Sequence, residues 1–208
     1  MTTTTKTYLA LKSSLSGDVA LSSQLVDRFI AQRVAGDERD GVQADVVARD
    51  LASSPLPHLT AERFSALTTP AEQRTPAQAR IAAESDGLVV ELQAADVIVI
   101  GLPMYNFGVP STLKAYFDHV ARAGVTFRYT AEGPRGLLTG KKVFVIATRG
   151  GRYSGTAQDV QSAFVRQFLG FIGLTDVEFV YAEGLALGPE HRAAAIAEAD
   201  RRLELIAA

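Results

Sequence analysis

Asp96-Val97-Ile98-Val99-Ile100-Gly101-Leu102-Pro103-Met104-Tyr105-Asn106-Phe107-Gly108-Val109-Pro110-Ser111 is the stretch whose reading decides the fold. After Asp96 the first part is continuously apolar and β-branched, so 96–100 reads as a strand buried on both faces. Such a strand needs a covering layer on each side. The strand then gives way to a loop bracketed by Gly and Pro. Ser111 or Thr112 caps a helix running to about Ala123.

Upstream, Thr75-Pro76 places a cap residue before a proline at a first helical position, and that helix runs to about Ala94. Thr7–Leu11 and Ala44–Ala48 read as strands. Between them Leu25, Val26, Phe29, Ile30 and Val34 recur at helical spacing over 24–34. Residues 50–59, with Pro55 and Pro57, read as a loop. Downstream, 142–148 is a strand, 159–170 a helix, 177–181 a last strand and 189–206 a closing helix. Residues 127–138 interrupt the alternation as an excursion or small hairpin at one end of the sheet. Strands alternating with helices predict a parallel sheet covered on both faces. With right-handed crossovers, the expected architecture is α/β: one domain over 1–208 with a doubly wound, five-stranded, flavodoxin-like sheet.

Bulk properties narrow the function. The chain has 208 residues, 47% of them hydrophobic, which suits one compact domain. It has no Cys, which removes disulfides, thiolate zinc sites and Cys nucleophiles. A net charge of -2 with interspersed signs disfavours nucleic acid. The N-terminus is polar, and no apolar run approaches the roughly 20 residues of a bilayer span. No membrane association is expected, and the expected location is the cytoplasm.

In open α/β sheets ligands bind outside the carboxyl ends of the strands. The loop after the first strand, residues 12–23, holds Ser13, Ser14, Ser16, Ser22 and Ser23 and leads into a helix. It either caps that helix or holds a phosphate against its free N–H groups. The loop Met104-Tyr105-Asn106-Phe107 either covers the strand ends or packs a flat ligand. Thr148-Arg149-Gly150-Gly151 is either a plain turn or a place of close backbone approach and unusual dihedrals. Three successive ligand-like loops favour a ligand. No G-x-G-x-x-G is present, and residues 136–142 resemble a phosphate loop only superficially. His58, His119 and His191 lack metal-ligand spacing, and no metal is expected. No Ser-His-Asp elbow or carboxylate pair stands out, as expected where a cofactor carries the chemistry.

Over nearly its whole length the chain resembles the bacterial FMN-dependent NADH:azoreductase and NADH:quinone oxidoreductase family. The resemblance rests on Lys12-Ser13-Ser14, residues 96–100 with Pro103 to Phe107, and residues 120–130. It extends through Thr148 to Gly151, residues 168–173 and Ala182-Glu183-Gly184. It implies a homodimer with one non-covalent FMN per subunit near the interface. It also implies that Ser14 and Ala20-Leu21-Ser22 hold the phosphate, that Met104, Tyr105, Asn106 and Phe107 line the ring, and that Thr148, Arg149, Gly150 and Gly151 meet its polar edge. Phe127, Tyr129 and Phe171 are expected to wall the acceptor. The chain departs from the pattern at Ala20, where relatives often carry a Ser, and at Thr148, which replaces a more usual Ser.

The implied activity is ping-pong transfer of two electrons. NADH reduces the flavin and leaves. Quinones then go to hydroquinones or semiquinones, and azo compounds to amines. No side chain is assigned a catalytic role. The rival readings are a flavodoxin-type electron carrier, which the modest net charge and the 127–138 excursion disfavour, and a phosphoesterase, for which no nucleophile or metal cluster is visible.

Overall fold

A computed structural model describes residues 4–207. Five parallel strands form the main sheet: β1 (Thr5–Lys12), β2 (Gln43–Asp50), β3 (Val97–Pro103), β6 (Lys142–Thr148) and β7 (Asp176–Ala182), in the order β2-β1-β3-β6-β7. This is the doubly wound, flavodoxin-like order. β3 sits at the centre with every residue buried, and Leu9 pairs with Ile98 on one side while Ile100 pairs with Val145 on the other.

The period-two alternation of the strands splits the core into two layers. Leu11, Ile98, Ile100, Leu102 and Val145 face α3 (Pro76–Ala94), α4 (Ser111–Val120) and α5 (Val160–Ile172). Tyr8, Val97, Val99, Phe144 and Ile146 face α1 (Leu21–Arg39) and α6 (Pro189–Ala207). The start of α3 follows its sequence signal. Thr75 accepts from the Gln78 N–H at 3.2 Å, the Gln78 side chain accepts from the Thr75 N–H at 3.0 Å, and Pro76 opens the helix.

Three local expectations need correction. The first helix begins at Leu21 and ends at Arg39, longer at both ends than its apolar stripe. Ser111 is the first residue of α4, not a side-chain cap, and the helix stops at Val120 rather than near Ala123. There the Thr126 hydroxyl donates to the Val120 carbonyl at 2.6 Å and accepts from the Arg122 N–H at 2.9 Å, so the chain is turned away before another helical turn forms. A short helix, α2 (Ala61–Thr68), follows the proline-containing loop and packs on α3, with the Thr60 side chain capping it. The excursion is a two-stranded antiparallel hairpin, β4 (Phe127–Thr130) with β5 (Gly133–Gly136).

That hairpin lies at the amino-terminal edge of the sheet, between the end of α4 and the start of β6. The Leu137 and Leu138 N–H groups donate to the Ile172 carbonyl at the end of α5, at 3.2 and 3.0 Å. A Cβ on Gly136 would stand 2.1 Å from the Gly173 nitrogen, so the two backbones meet where no side chain fits. Among the described residues no helix is long and apolar enough to cross a membrane.

Candidate functional site

Three loops meet at the opposite, carboxyl edge of the strands. The first is positioned by a close helix–strand approach. A Cβ on Gly101 would lie 3.1 Å from Val26 Cγ2 and 3.3 Å from the Ser22 carbonyl oxygen, so the absence of a side chain in β3 lets the first turn of α1 settle against the sheet. The Ser13 hydroxyl donates to the Gly101 carbonyl at 2.7 Å and pins the loop from the other side. After a 3₁₀ turn at Gly17–Val19, Ala20 stands in extended conformation as the cap of α1 with no side-chain bond to offer. The first-turn N–H groups of a helix have no intrahelical acceptor, and the first turn of α1 contains no acid to satisfy or neutralise them. The Ser22 side chain is buried beneath this turn.

The second loop carries local backbone strain. The Met104 N–H donates to Thr148 at 3.0 Å, and Tyr105 and Gly108 exchange two main-chain bonds at 3.3 and 3.0 Å. Asn106 and Phe107 form the two-residue tip, with φ of 49° and 64°. Two positive φ values define a type I′ turn, where Asn is tolerated and a bulky Phe is unusual. Both tip residues are exposed. Gln161, from the first turn of α5, clamps the base of the loop by donating to the Pro103 and Gly108 carbonyls at 3.0 and 2.8 Å. The Tyr105 hydroxyl reaches across to the first loop, 3.0 Å from Ser14 Oγ, and accepts from the Leu15 N–H at 3.1 Å. One phenol thus ties the serine loop to the Met104–Phe107 loop.

In the third loop the carbonyls of Arg149, Gly150 and Gly151 accept from the N–H groups of Leu185, Ala186 and Gly184 at 3.1, 3.0 and 2.9 Å. The Gly150 and Gly151 N–H groups have no acceptor among the described residues. The unusual dihedrals expected at these paired glycines occur instead at Asn106 and Phe107. What Gly151 provides is close approach: a Cβ there would lie 2.7 Å from the Tyr153 hydroxyl. Tyr153 in turn meets the Phe107 ring edge-on at 5.6 Å.

The Arg149 side chain turns inward and is fully buried. It bonds Asp159 at 2.8 Å, Ser162 at 2.7 Å and Glu183 at 2.9 Å, and lies over the Tyr181 ring. Burial opposes ionisation of Asp159, but the Arg149 guanidinium and the Ser162 N–H and hydroxyl outweigh it and hold the carboxyl below the usual aspartate range. The Glu183 carboxylate also accepts from the Tyr153 and Ser154 N–H groups, at 3.0 Å each. The Arg149 guanidinium is therefore committed to fixing the loop, and its residue serves a ligand only through the shape of the backbone.

A cavity of about 360 Å³ opens between the loops. It brings together Ser14, Ala20, Leu21, Ser22, Met104, Tyr105, Thr148, Arg149 and Gly150 from the sequence reading, with the tip residues Asn106 and Phe107 and then Gly151 following on the same loops. It also includes Ser16, Val19, Leu185 and Arg192, which sequence reasoning did not select. Only the serine clustering around Ser16 was visible beforehand. Leu185 and Arg192 come from a loop and helix that carry no motif. Phe127, Tyr129 and Phe171 are elsewhere. They form one aromatic cluster, with Phe127 4.3 Å from Phe171 and 5.6 Å from Tyr129. Phe171 lies ten residues beyond Gln161 along α5, about 15 Å at the helical rise. They do not line this cavity within one chain, because the hairpin and the end of α5 occupy the other edge of the sheet.

The fold is that of a flavodoxin-like protein with a cavity at its strand ends. A sequence model of the flavodoxin-like fold family matches residues 6–206. An FMN-dependent NADH:quinone oxidoreductase of Cellvibrio japonicus is 52% identical over 201 residues, covering 97% of this chain and 99% of the relative. One from Burkholderia thailandensis is 53% identical over 193 residues, covering 93% and 96%. The crystal structure of an azoreductase from Bacillus anthracis superposes with a TM-score of 0.85 at 27% identity, covering 98% of each chain. This chain belongs to the family of flavodoxin-like FMN-dependent NADH:quinone oxidoreductases.

Proposed function

We propose that the protein is an FMN-dependent oxidoreductase that takes electrons from NADH and reduces quinones and the azo bond of aromatic azo compounds. The observation that carries this reading is the convergence on one cavity of the start of α1 with its free N–H groups, the Met104–Tyr105 base of the second loop and the Thr148–Gly150 backbone. FMN presents a dianionic phosphate, a polyhydroxylated chain and a flat ring with a hydrogen-bonding edge. Free N–H groups at the start of α1, with Ser14, Ser16 and Ser22, suit the phosphate. Met104, Tyr105, Asn106 and Phe107 offer surface for the ring. The Gly150 and Gly151 amides, beside Thr148, suit its polar edge. The residues fit the group.

Bound there, FMN supplies the redox chemistry, accepting two electrons from NADH and returning them to the acceptor. The chain's own work is binding and orientation. The Tyr105 bridge sets the distance between the phosphate cradle and the ring loop. The Arg149 cluster and Gln161 hold the two ring loops rigid, so that the ring meets donor and acceptor in one geometry.

The reading includes a homodimer of single-domain subunits, each holding one non-covalent FMN. Phe127, Tyr129 and Phe171 can wall an acceptor only if a second copy brings its hairpin to this cavity, because they stand at the far edge of their own sheet. Tyr129 is the most exposed of the three, and Leu15, Val19 and Phe107 stand exposed on the cavity-side loops, as an interface requires. The reading places the enzyme in the cytoplasm, where NADH is supplied.

The test is spectroscopic. Purified protein is expected to show flavin absorbance, to bleach with NADH under anaerobic conditions, and to recover on adding a small quinone without any partner protein. A colourless protein that stays so after FMN is added sinks the reading. Flavin that exchanges electrons only with another protein makes it a carrier.

A further inference from the structure

We propose that Arg192 binds the phosphate of the flavin, supplying the charge that the uncapped start of α1 at Ala20 does not. The proposal rests on the FMN reading above and names a residue that no motif marks. Two parallel helices bring it to the cradle. α1 and α6 pack side by side on one face of the sheet, and the Arg28 guanidinium grips Asp200 at 2.9 Å across the seam. Eight residues earlier in each helix stand Ala20 and Arg192. At equal rise per residue they lie level with one another. Arg192 accordingly lines the same cavity as Ser14, Ser16, Ala20, Leu21 and Ser22.

Two further observations set this residue apart. Arg192 stands in the first turn of α6, the end of a helix where a cation is disfavoured by the aligned peptide dipoles. Its main-chain N–H donates to Gly188 at 3.0 Å, and its guanidinium has no carboxylate partner among the described residues. The other arginine of the cavity, Arg149, is held between two carboxylates. Arg192 is thus the cation of this cavity whose charge is not already answered. A guanidinium matches a phosphate with two parallel N–H donors, where a serine hydroxyl at position 20 would offer one neutral donor.

Flavin-free protein titrated with FMN and with riboflavin separates the phosphate from the ring. Arg192→Ala is expected to weaken FMN binding by about tenfold or more while leaving riboflavin affinity within about twofold. Arg192→Lys is expected to keep much of the FMN affinity. Adding Ala20→Ser to Arg192→Ala is expected to recover part of the loss. Unchanged FMN affinity in Arg192→Ala, or an equal loss for both flavins, overturns the proposal. Wild-type protein that binds neither flavin overturns the FMN reading itself and the proposal with it. Arg192 is exposed, so the variants keep their fold, which circular dichroism verifies.

Discussion

Phe107 sits in a backbone region that costs a bulky side chain about 1–3 kcal/mol, and it does so while its ring is about half exposed. Its ring meets Tyr153 edge-on. Phe107→Gly places an Asn-Gly pair at the tip, the preferred pair for a type I′ turn. The thermal midpoint of the flavin-free variant is expected to hold or rise, while FMN affinity falls; a midpoint several degrees lower refutes the idea that the turn trades stability for ligand contact. Arg149 shows the opposite economy. Asp159 titrates below its ordinary value in the folded state, so its contribution is fully present above about pH 3.9 and is lost as pH falls through the lowered folded value. Arg149→Ala leaves two half-buried carboxylates without their cation. Urea denaturation is expected to show a loss of about 3–5 kcal/mol at neutral pH. The loss should shrink as acid protonates Asp159. The M-Y-N-F string was legible as a loop at the carboxyl edge of the sheet because it follows the unbroken apolar strand. Its left-handed backbone was not, because no glycine occupies the tip. Arg149 was placed among the ligand groups because the sequence shows it beside two glycines and cannot show Asp159 and Glu183 converging on it.

At the scale of elements, strands and helices were legible wherever period and punctuation agreed. The unbroken apolar run of β3 and the Thr75-Pro76 start of α3 are the clearest cases. Boundaries went astray where a side chain overrides the local pattern, as Thr126 does at the end of α4. α2 escaped because eight residues with a single buried side chain leave almost no apolar stripe. The hairpin β4–β5 was legible as an excursion at one end of the sheet, but not which end, because the sequence does not show Gly136 meeting Gly173 at the amino edge. Its attachment depends on the contact of Gly136 with Gly173. Gly136→Ala is expected to destabilise the protein by about 1–3 kcal/mol and to loosen the hairpin. Hydrogen exchange should then quicken at Leu137 and Leu138, whose amides bond Ile172, with little change at β3. Uniform acceleration across the sheet would instead mean that the hairpin is not a separable unit.

For the molecule as a whole, alternation and handedness rules left few topologies, and the expected flavodoxin-like order is the one present, β2-β1-β3-β6-β7. The depth and outline of the cradle did not, since they depend on how closely α1 approaches Gly101 and on which turn of α6 faces it. The same winding has a kinetic consequence. Every strand of the sheet points toward the cradle, so α1, α4, α5 and α6 start at that rim and run away from it. The positive ends of their peptide dipoles gather on one side of a molecule whose net charge is -2. The molecule is therefore polarised against its own total charge, and a dianion diffusing nearby is turned toward the right face before it touches anything. Loading of FMN onto the empty protein should accordingly slow as ionic strength rises, more steeply than loading of uncharged riboflavin.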